Sequence, residues 1–443
     1  MRILWISNSR RTPSGYGQQT NIWTRWLKQS GHEVTIFAFF GQEGAPSVDE
    51  DGILTLPRVQ DSYGNDVVQA YADYVKADLV ITLIDPFVMQ SRVYGGLPWA
   101  AWTPIDSEPV TPANAVSLRA ARWVIGMSKF GMEQLHNAGF ENAMYVPHGV
   151  DTDVFNPGDR EEARRKLGQE WEIDLDGKYL VVANSLNVGV PPRKGFYEML
   201  AAFKIFSDKQ PEALLYLHCE AKGRHGVNMQ EVMKLVDLDP KKVIFPTEMP
   251  YLAGFYTPKY LNDVYNAGDV FLHASHGEGF GIPIIEAQAS GCPVVVPRFS
   301  AMPELVMYGE IVEKGVKYMR VPGGYGWMPD VGALAEALEN AHGEQGERQE
   351  WEAASAHRAI KEKYGLAAVA MHWEQVLVQM EGDIAREKRD GVLKMPAARI
   401  ASSAFHTNET GEKHPTLRAA MENVAVGEED TAEVLHDGNT DGD

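Results

Sequence analysis

Between His273 and Pro297 the chain reads His-Ala-Ser-His-Gly-Glu-Gly-Phe-Gly-Ile-Pro-Ile-Ile-Glu-Ala-Gln-Ala-Ser-Gly-Cys-Pro-Val-Val-Val-Pro. Gly277, Gly279 and Gly281 form a loop, and Pro283 opens a helix behind it. Amides of such a loop make an anion site, because a helix start carries unpaired N–H groups and partial positive charge. Glu278 in the loop and Glu286 one turn into the helix could face one ligand from different heights. A carboxylate can accept hydrogen bonds from two neighbouring hydroxyls, which suits sugars and ribose. Elsewhere, Arg193 and Lys194 precede Gly195 at a strand-to-helix turn, where adjacent cations can stabilise charge on a departing phosphate. Asp106, between Ile105 and Ser107, stands at another strand end, where it could serve a ligand or simply cap a turn. Metal chemistry is poorly supported. His273 and His276 fall on different elements, and the pairs Asp151/Asp153 and Asp237/Asp239 arise readily by chance in an acidic chain.

The elements that must hold these residues follow from apolar periodicity. Arg2–Ser7 is a short apolar run suited to a parallel strand. Asn8–Gly17 is polar and glycine-bearing, Gln18–Ser30 has helical spacing, Gly31 stops it, and Val34–Phe40 is a second strand. Further strands are predicted at Leu79–Ile84, Ala100–Thr103, Trp123–Gly126 and Ala143–Val146. After a polar connection over Asp151–Asp176 a second alternation begins. It has strands at Tyr179–Ala183, Leu214–His218, Val243–Phe245, Val270–His273 and Pro293–Val296, with helices at Gly195–Phe206, Pro258–Ala267 and Ile284–Ser290. Two successive α/β patterns predict two Rossmann-like domains facing each other across a cleft, with ligands at the ends of parallel strands. The expected division is 1–155, 156–364, a helix over 365–385 crossing back to the first domain, and a flexible acidic tail over 386–443.

Composition narrows the class. Of 443 residues, 61 are acidic and 41 basic, a net charge of −20, which speaks against a protein built mainly to hold a polyanion. Arg10, Arg11, Arg119, Arg122 and Lys129 could form a local basic surface in the first domain, or be scattered solvated charges. Hydrophobic residues at 44% and charged residues at 23% fit a globular chain. Cys219 and Cys292 build neither a disulfide framework nor a cysteine-rich metal site. The chain opens directly on a strand pattern, and no run approaches the length of a membrane span. A cytoplasmic location is therefore expected.

The run Glu278-Gly-Phe-Gly-Ile-Pro-Ile-Ile-Glu286, followed by Ala-Gln-Ala-Ser-Gly-Cys-Pro-Val-Val, resembles the signature of retaining, nucleotide-sugar-dependent glycosyltransferases of family four, which have the GT-B fold. The resemblance implies that Glu278 lies by the donor sugar. It places Gly279, Phe280 and Gly281 at the sugar hydroxyls or the diphosphate, and Glu286 on the ribose. Pro192-Arg-Lys-Gly-Phe-Tyr-Glu-Met-Leu200 resembles the family's phosphate-binding element. Lys194 matches the family lysine. The family's arginine lies where this chain has Gly189, so Arg193 is the substitute. Val146-Pro-His-Gly-Val-Asp resembles the segment between the domains, with His148 in place of the usual Asn, either a donor to the ligand or part of a turn. Gly15-Tyr-Gly17 matches a loop that approaches donor phosphate and acceptor. The full G-x-G-x-x-G pattern is not present and no clean acidic residue ends the second strand, which argues against a nicotinamide dehydrogenase. Many members have a histidine where this chain has Asp106, which could instead orient the acceptor hydroxyl or stabilise positive charge on the sugar ring.

What the resemblance implies is transfer of a sugar from a nucleoside diphosphate sugar to an acceptor hydroxyl, with retention and without an essential metal or other cofactor. The acceptor stays open among a glycan, a lipid, a small molecule and a modified DNA base. A nucleotide-sugar epimerase or phosphorylase of the same fold is the alternative, and a non-catalytic donor-binding module a further one.

Overall fold

The computed structural model describes residues 1–343 and 347–390, together with the short strands Phe405–Thr407 and Lys413–Pro415, which pair antiparallel. The first apolar runs form an eight-stranded sheet: β1 (Arg2–Asn8), β2 (Glu33–Phe40), β3 (Ser47–Val48), β4 (Leu54–Pro57), β5 (Leu79–Leu83), β6 (Trp99–Thr103), β7 (Trp123–Gly126) and β8 (Met144–Tyr145). Its order is β3-β4-β2-β1-β5-β6-β7-β8, and only the β3–β4 pairing is antiparallel. Every residue of β5 and β6 is buried, as expected for strands covered on both faces. The order reverses between β1 and β5, so the loops leaving these strands diverge and open a crevice there. Ser14 caps the helix Gly15–Gln29 by accepting from the Gly17 N–H, and Asn8 Nδ2 donates to the same hydroxyl at 2.9 Å.

The second sheet is wholly parallel: β9 (Tyr179–Asn184), β10 (Ala213–His218), β11 (Val243–Ile244), β12 (Val270–Leu272), β13 (Val294–Pro297) and β14 (Gly309–Val312), in the order β11-β10-β9-β12-β13-β14. This is the doubly wound order, with its reversal between β9 and β12.

A last long helix, Leu366–Asp390, returns to the first domain. Its Trp373 is fully buried against Trp102, Trp5 and Trp23, with ring centroids 5.0, 5.9 and 6.2 Å away. Along the same helix Asp383 accepts from Trp123 Nε1 at 3.0 Å, Glu387 pairs with Arg122, and Lys388 reaches Asp78 at 3.0 Å. These partners carry the helix past residue 385, where the sequence pattern fades. The acidic residues beyond Arg418 lie outside the described residues.

Several elements were not expected. A hairpin, β15 (Gly315–Val321) with β16 (Gly324–Pro329), stands outside both sheets. Its buried residues are only Gly324, Gly326 and Pro329, which give no apolar alternation, so it carries little periodic signal. β3, two exposed residues long, and the four-residue β4 and β14 are too short to carry a periodic pattern. Among the described residues no helix is long and apolar enough to cross a membrane.

Candidate active site

The loop leaving β12 is squeezed between the two domains. A Cβ on Gly277 would lie 2.3 Å from the Asp106 carbonyl oxygen, and one on Gly279 would lie 2.4 Å from Pro104 Cβ. Glycine is needed at both positions because the first domain's β6 loop presses on them. Gly281 has a φ of +113° and turns the chain into the helix Ile282–Ala289. Among the described residues, no protein acceptor takes the N–H groups of Gly279, Phe280 or Gly281. The Phe280 side chain is buried under the loop, its ring 5.2 Å from His148 and 5.5 Å from Tyr364. Only its backbone is left to meet a ligand.

Glu278 is 5% exposed and is the centre of a dense charge cluster. Lys194 Nζ donates to its Oε1 at 2.5 Å, Arg193 Nη1 to its Oε2 at 3.0 Å, and His273 Nε2 stands 3.1 Å from Oε1. Arg193 Nη1 also donates to the Gly277 carbonyl at 2.6 Å. Burial alone would push the Glu278 carboxyl up, but Lys194 and Arg193 outweigh it and hold it well below the usual range. Burial and then the neighbouring Arg193 lower Lys194. For Arg193 burial works downward too, but the carboxylates of Glu278 and Asp106 overcome it and the guanidinium is raised. Burial also lowers His273, against the pull of Glu278. The cluster sits where the second sheet reverses order, since Arg193 and Lys194 follow β9 and Glu278 follows β12.

Glu286 is 3% exposed. Its oxygens accept from Gln18 Nε2 at 2.9 Å and Tyr265 Oη at 3.2 Å, and Asn184 Nδ2 donates to that phenol oxygen at 3.0 Å. Gln18 belongs to the first domain, so this bond crosses the cleft. Burial pushes the Glu286 carboxyl up to about 7, with the two donated bonds opposing.

On the facing side, Gly15 lies at the start of the first helix, where a Cβ would sit 3.2 Å from Ile282 Cδ1 of the other domain. Gly17 is held for a local reason: a Cβ there would meet the Thr12 carbonyl oxygen at 2.2 Å. Asp106 accepts from Arg320 Nη2 at 2.5 Å and has Arg193 Nε 3.8 Å away. His148 is brought to the cleft floor but is 2% exposed, edge-on to Trp102 at 4.6 Å. Burial drives it down to about 3, so it is a neutral ring, and its Nδ1 has no protein partner.

Gly15, Asp106, His148, Arg193, Lys194, Glu278, Gly279, Phe280, Gly281 and Glu286 are thus brought together where the two domains meet, while Gly17 is held by its own loop. Sequence reasoning missed several companions. Asp85, just past β5, accepts from Tyr16 Oη at 3.3 Å, and burial with the nearby Asp106 pushes its carboxyl up to about 6. Both flank the order reversal of the first sheet, which was the available signal. Arg320, Gln18 and Tyr265 carried no motif that could have marked them, and His273, at the head of the motif, was weighed only as a metal ligand. Of the scattered cations, Arg10 is held by Asp49 and Asp51 and Arg122 by Glu387, so these two are spent on ion pairs. Among the described residues no three His, Cys, Asp or Glu side chains gather in a way that could hold a metal ion.

Comparison with known proteins agrees with this geometry. Residues 178–342 match the family model described as Glycosyl transferases group 1. A D-inositol 3-phosphate glycosyltransferase of Acidothermus cellulolyticus is 31% identical over 215 residues, 47% of this chain and 45% of that protein. A mannosylfructose-phosphate synthase of Agrobacterium fabrum is 29% identical over 168 residues, 37% of this chain and 34% of that protein. The matched segments span less than half the length of either relative. Among solved structures, a sucrose-phosphate synthase from Thermosynechococcus elongatus superposes with a TM-score of 0.66 at 16% identity, covering 86% of this chain and 100% of that one. A glycosyltransferase from Rickettsia africae gives 0.65 at 16% identity, covering 86% and 98%. At such identities the likeness shows the fold, which is GT-B. The segment that matches the glycosyl transferases group 1 model is the one that carries Arg193, Lys194, Glu278 and Glu286.

Proposed function

We propose that the protein transfers a sugar from a nucleoside diphosphate sugar to an acceptor hydroxyl, with retention of configuration and without an essential metal. The observation that carries this reading is the convergence of Lys194 and Arg193 on Glu278, which opens the loop whose Gly279–Gly281 amides have no acceptor among the described residues, at the order reversal of the second sheet. Two cations and a row of N–H groups can hold a diphosphate and stabilise the charge it gains as the glycosidic bond breaks. Glu278 pairs with both cations. When the diphosphate shares them, the Glu278 oxygens become available to the sugar hydroxyls. Glu286, with Tyr265 behind it, takes the ribose.

The acceptor meets the sugar from the first domain, where Asp85, Asp106 and Tyr16 offer acceptors and a phenol suited to a hydroxyl-bearing molecule. In the reaction, the bond from the anomeric carbon to the diphosphate oxygen breaks with its electron pair leaving on the diphosphate. The acceptor oxygen bonds the same face of that carbon, and its proton passes to the departing diphosphate. Contact between the lobes excludes water and limits donor hydrolysis.

The test is a thermal-shift panel of UDP-glucose, UDP-N-acetylglucosamine and GDP-mannose, followed by measurement of nucleoside diphosphate release. One donor should raise the melting temperature by mass action, and the product's anomeric coupling in NMR should match the donor's. No stabilisation and no release with any donor would overturn the reading. An isomerised sugar formed from donor alone would turn it into an epimerase.

A further inference from the structure

The hairpin β15–β16 belongs to the second domain yet ties into both lobes. On one side, the Trp327 N–H donates to the His276 carbonyl at 2.9 Å and Tyr318 Oη meets His276 Nδ1 at 2.6 Å, so it is fastened to the loop that carries Glu278. On the other, Tyr325 and Glu108 exchange backbone bonds at 2.8 and 3.2 Å across the domain boundary. Lys317 Nζ adds a bond to Glu108 Oε2 at 3.0 Å. Between these two anchorages Arg320, 12% exposed, donates from Nη2 to Asp106 Oδ1 at 2.5 Å and to the Asp106 carbonyl at 3.3 Å. A row of alternating charge results: Arg320, Asp106, Arg193, Glu278, Lys194. Arg320 ends the row and grips Asp106 by both side chain and backbone.

We infer that Arg320 is a positioning residue, carried across the cleft on the hairpin to fix the Asp106 carboxylate toward the acceptor side. The assignment rests on the glycosyltransferase reading above. A planar guanidinium can hold a carboxylate oxygen and the adjacent carbonyl together, which a lysine ammonium does less well. Asp106 is also within reach of Arg193, so without Arg320 it turns toward the cation meant for the diphosphate. The lobes would still close, but with the acceptor side misaligned.

The experiment compares wild type, R320M, R320K, D106N, R320M/D106N and K317M. Each is titrated with the donor that stabilises the protein in the panel of UDP-glucose, UDP-N-acetylglucosamine and GDP-mannose. Turnover is read as nucleoside diphosphate release, with water counted as an acceptor. R320M should slow turnover at saturating donor about tenfold or more while changing donor affinity less than about threefold. R320K should recover part of the loss. The double variant should be no slower than D106N, since the two residues act as one unit. K317M removes one exposed ion pair while the backbone bonds between Tyr325 and Glu108 keep the hairpin and Arg320 in place, so it should turn over like wild type.

Wild-type turnover in R320M, equal losses in affinity and turnover, or additive losses in the double variant would each overturn the assignment. Should R320M fail to fold, R320K carries the test: full turnover there shows a structural role and overturns it as well. A wild-type protein that neither binds nor turns over any donor defeats the glycosyltransferase reading itself, and the role of Arg320 with it.

Discussion

A carboxyl buried without a cationic partner behaves differently from one that has two, and the paired glutamates of this site show both cases. Glu278 is ionised because Lys194 and Arg193 surround it. Glu286 has only neutral donors in Gln18 and Tyr265, and burial pushes it up to about 7 from an ordinary 4.5. Between those values the folded protein binds more protons than the unfolded chain, so stability falls as pH rises. The contribution is complete below pH 4.5 and lost above 7, about 3 kcal/mol in all. E286Q should abolish that slope: between pH 5 and 8 the wild-type melting temperature is expected to drop relative to the variant's. Parallel curves would show that Glu286 does not titrate there. The same site depends on missing side chains. G279A would place a methyl 2.4 Å from Pro104 Cβ and hold the lobes apart. It is expected to cut turnover by about tenfold or more, in line with the cost of small misplacements at reacting groups, with melting little changed because only the interdomain contact is strained. Unchanged turnover in a rate assay would remove the close approach from the argument.

The elements divide their work unequally. Parallel strands supply rigid ends from which the site loops leave, and the order reversals at β1/β5 and β9/β12 decide where those loops part. The helix Leu366–Asp390 does something else, since it belongs to the C-terminal half in sequence but to the first domain in packing. Its Trp373 fills the centre of a four-tryptophan cluster and is fully buried. W373A should leave a large cavity and cost about 3–5 kcal/mol, read as a lower midpoint in urea unfolding. A loss near zero would mean that the helix docks through its ion pairs alone.

For the whole molecule the governing quantities are charge and the meeting of two lobes. A net charge of −20 repels polyanions, and two of the five first-domain cations that could have formed a basic surface are half-buried in ion pairs. Duplex DNA is therefore expected to show no band shift at about 0.15 M salt, where nonspecific binding rests on Lys and Arg contacts to phosphate. Tight binding with a steep salt dependence would point to a basic groove and to a nucleic-acid acceptor. The amino-acid sequence by itself determined most of the long buried strands, the doubling of the α/β pattern and the loop-helix motif that carries Glu278 and Glu286, with Arg193 and Lys194 as its cationic counterpart. Apolar periodicity and a contiguous loop-helix motif are local properties that survive in one dimension. Tertiary structure alone decided which groups face one another. Gln18 meets Glu286 across 268 positions and Arg320 meets Asp106 across 214. Such pairings are set by how two domains dock, and docking leaves no repeating pattern along the chain.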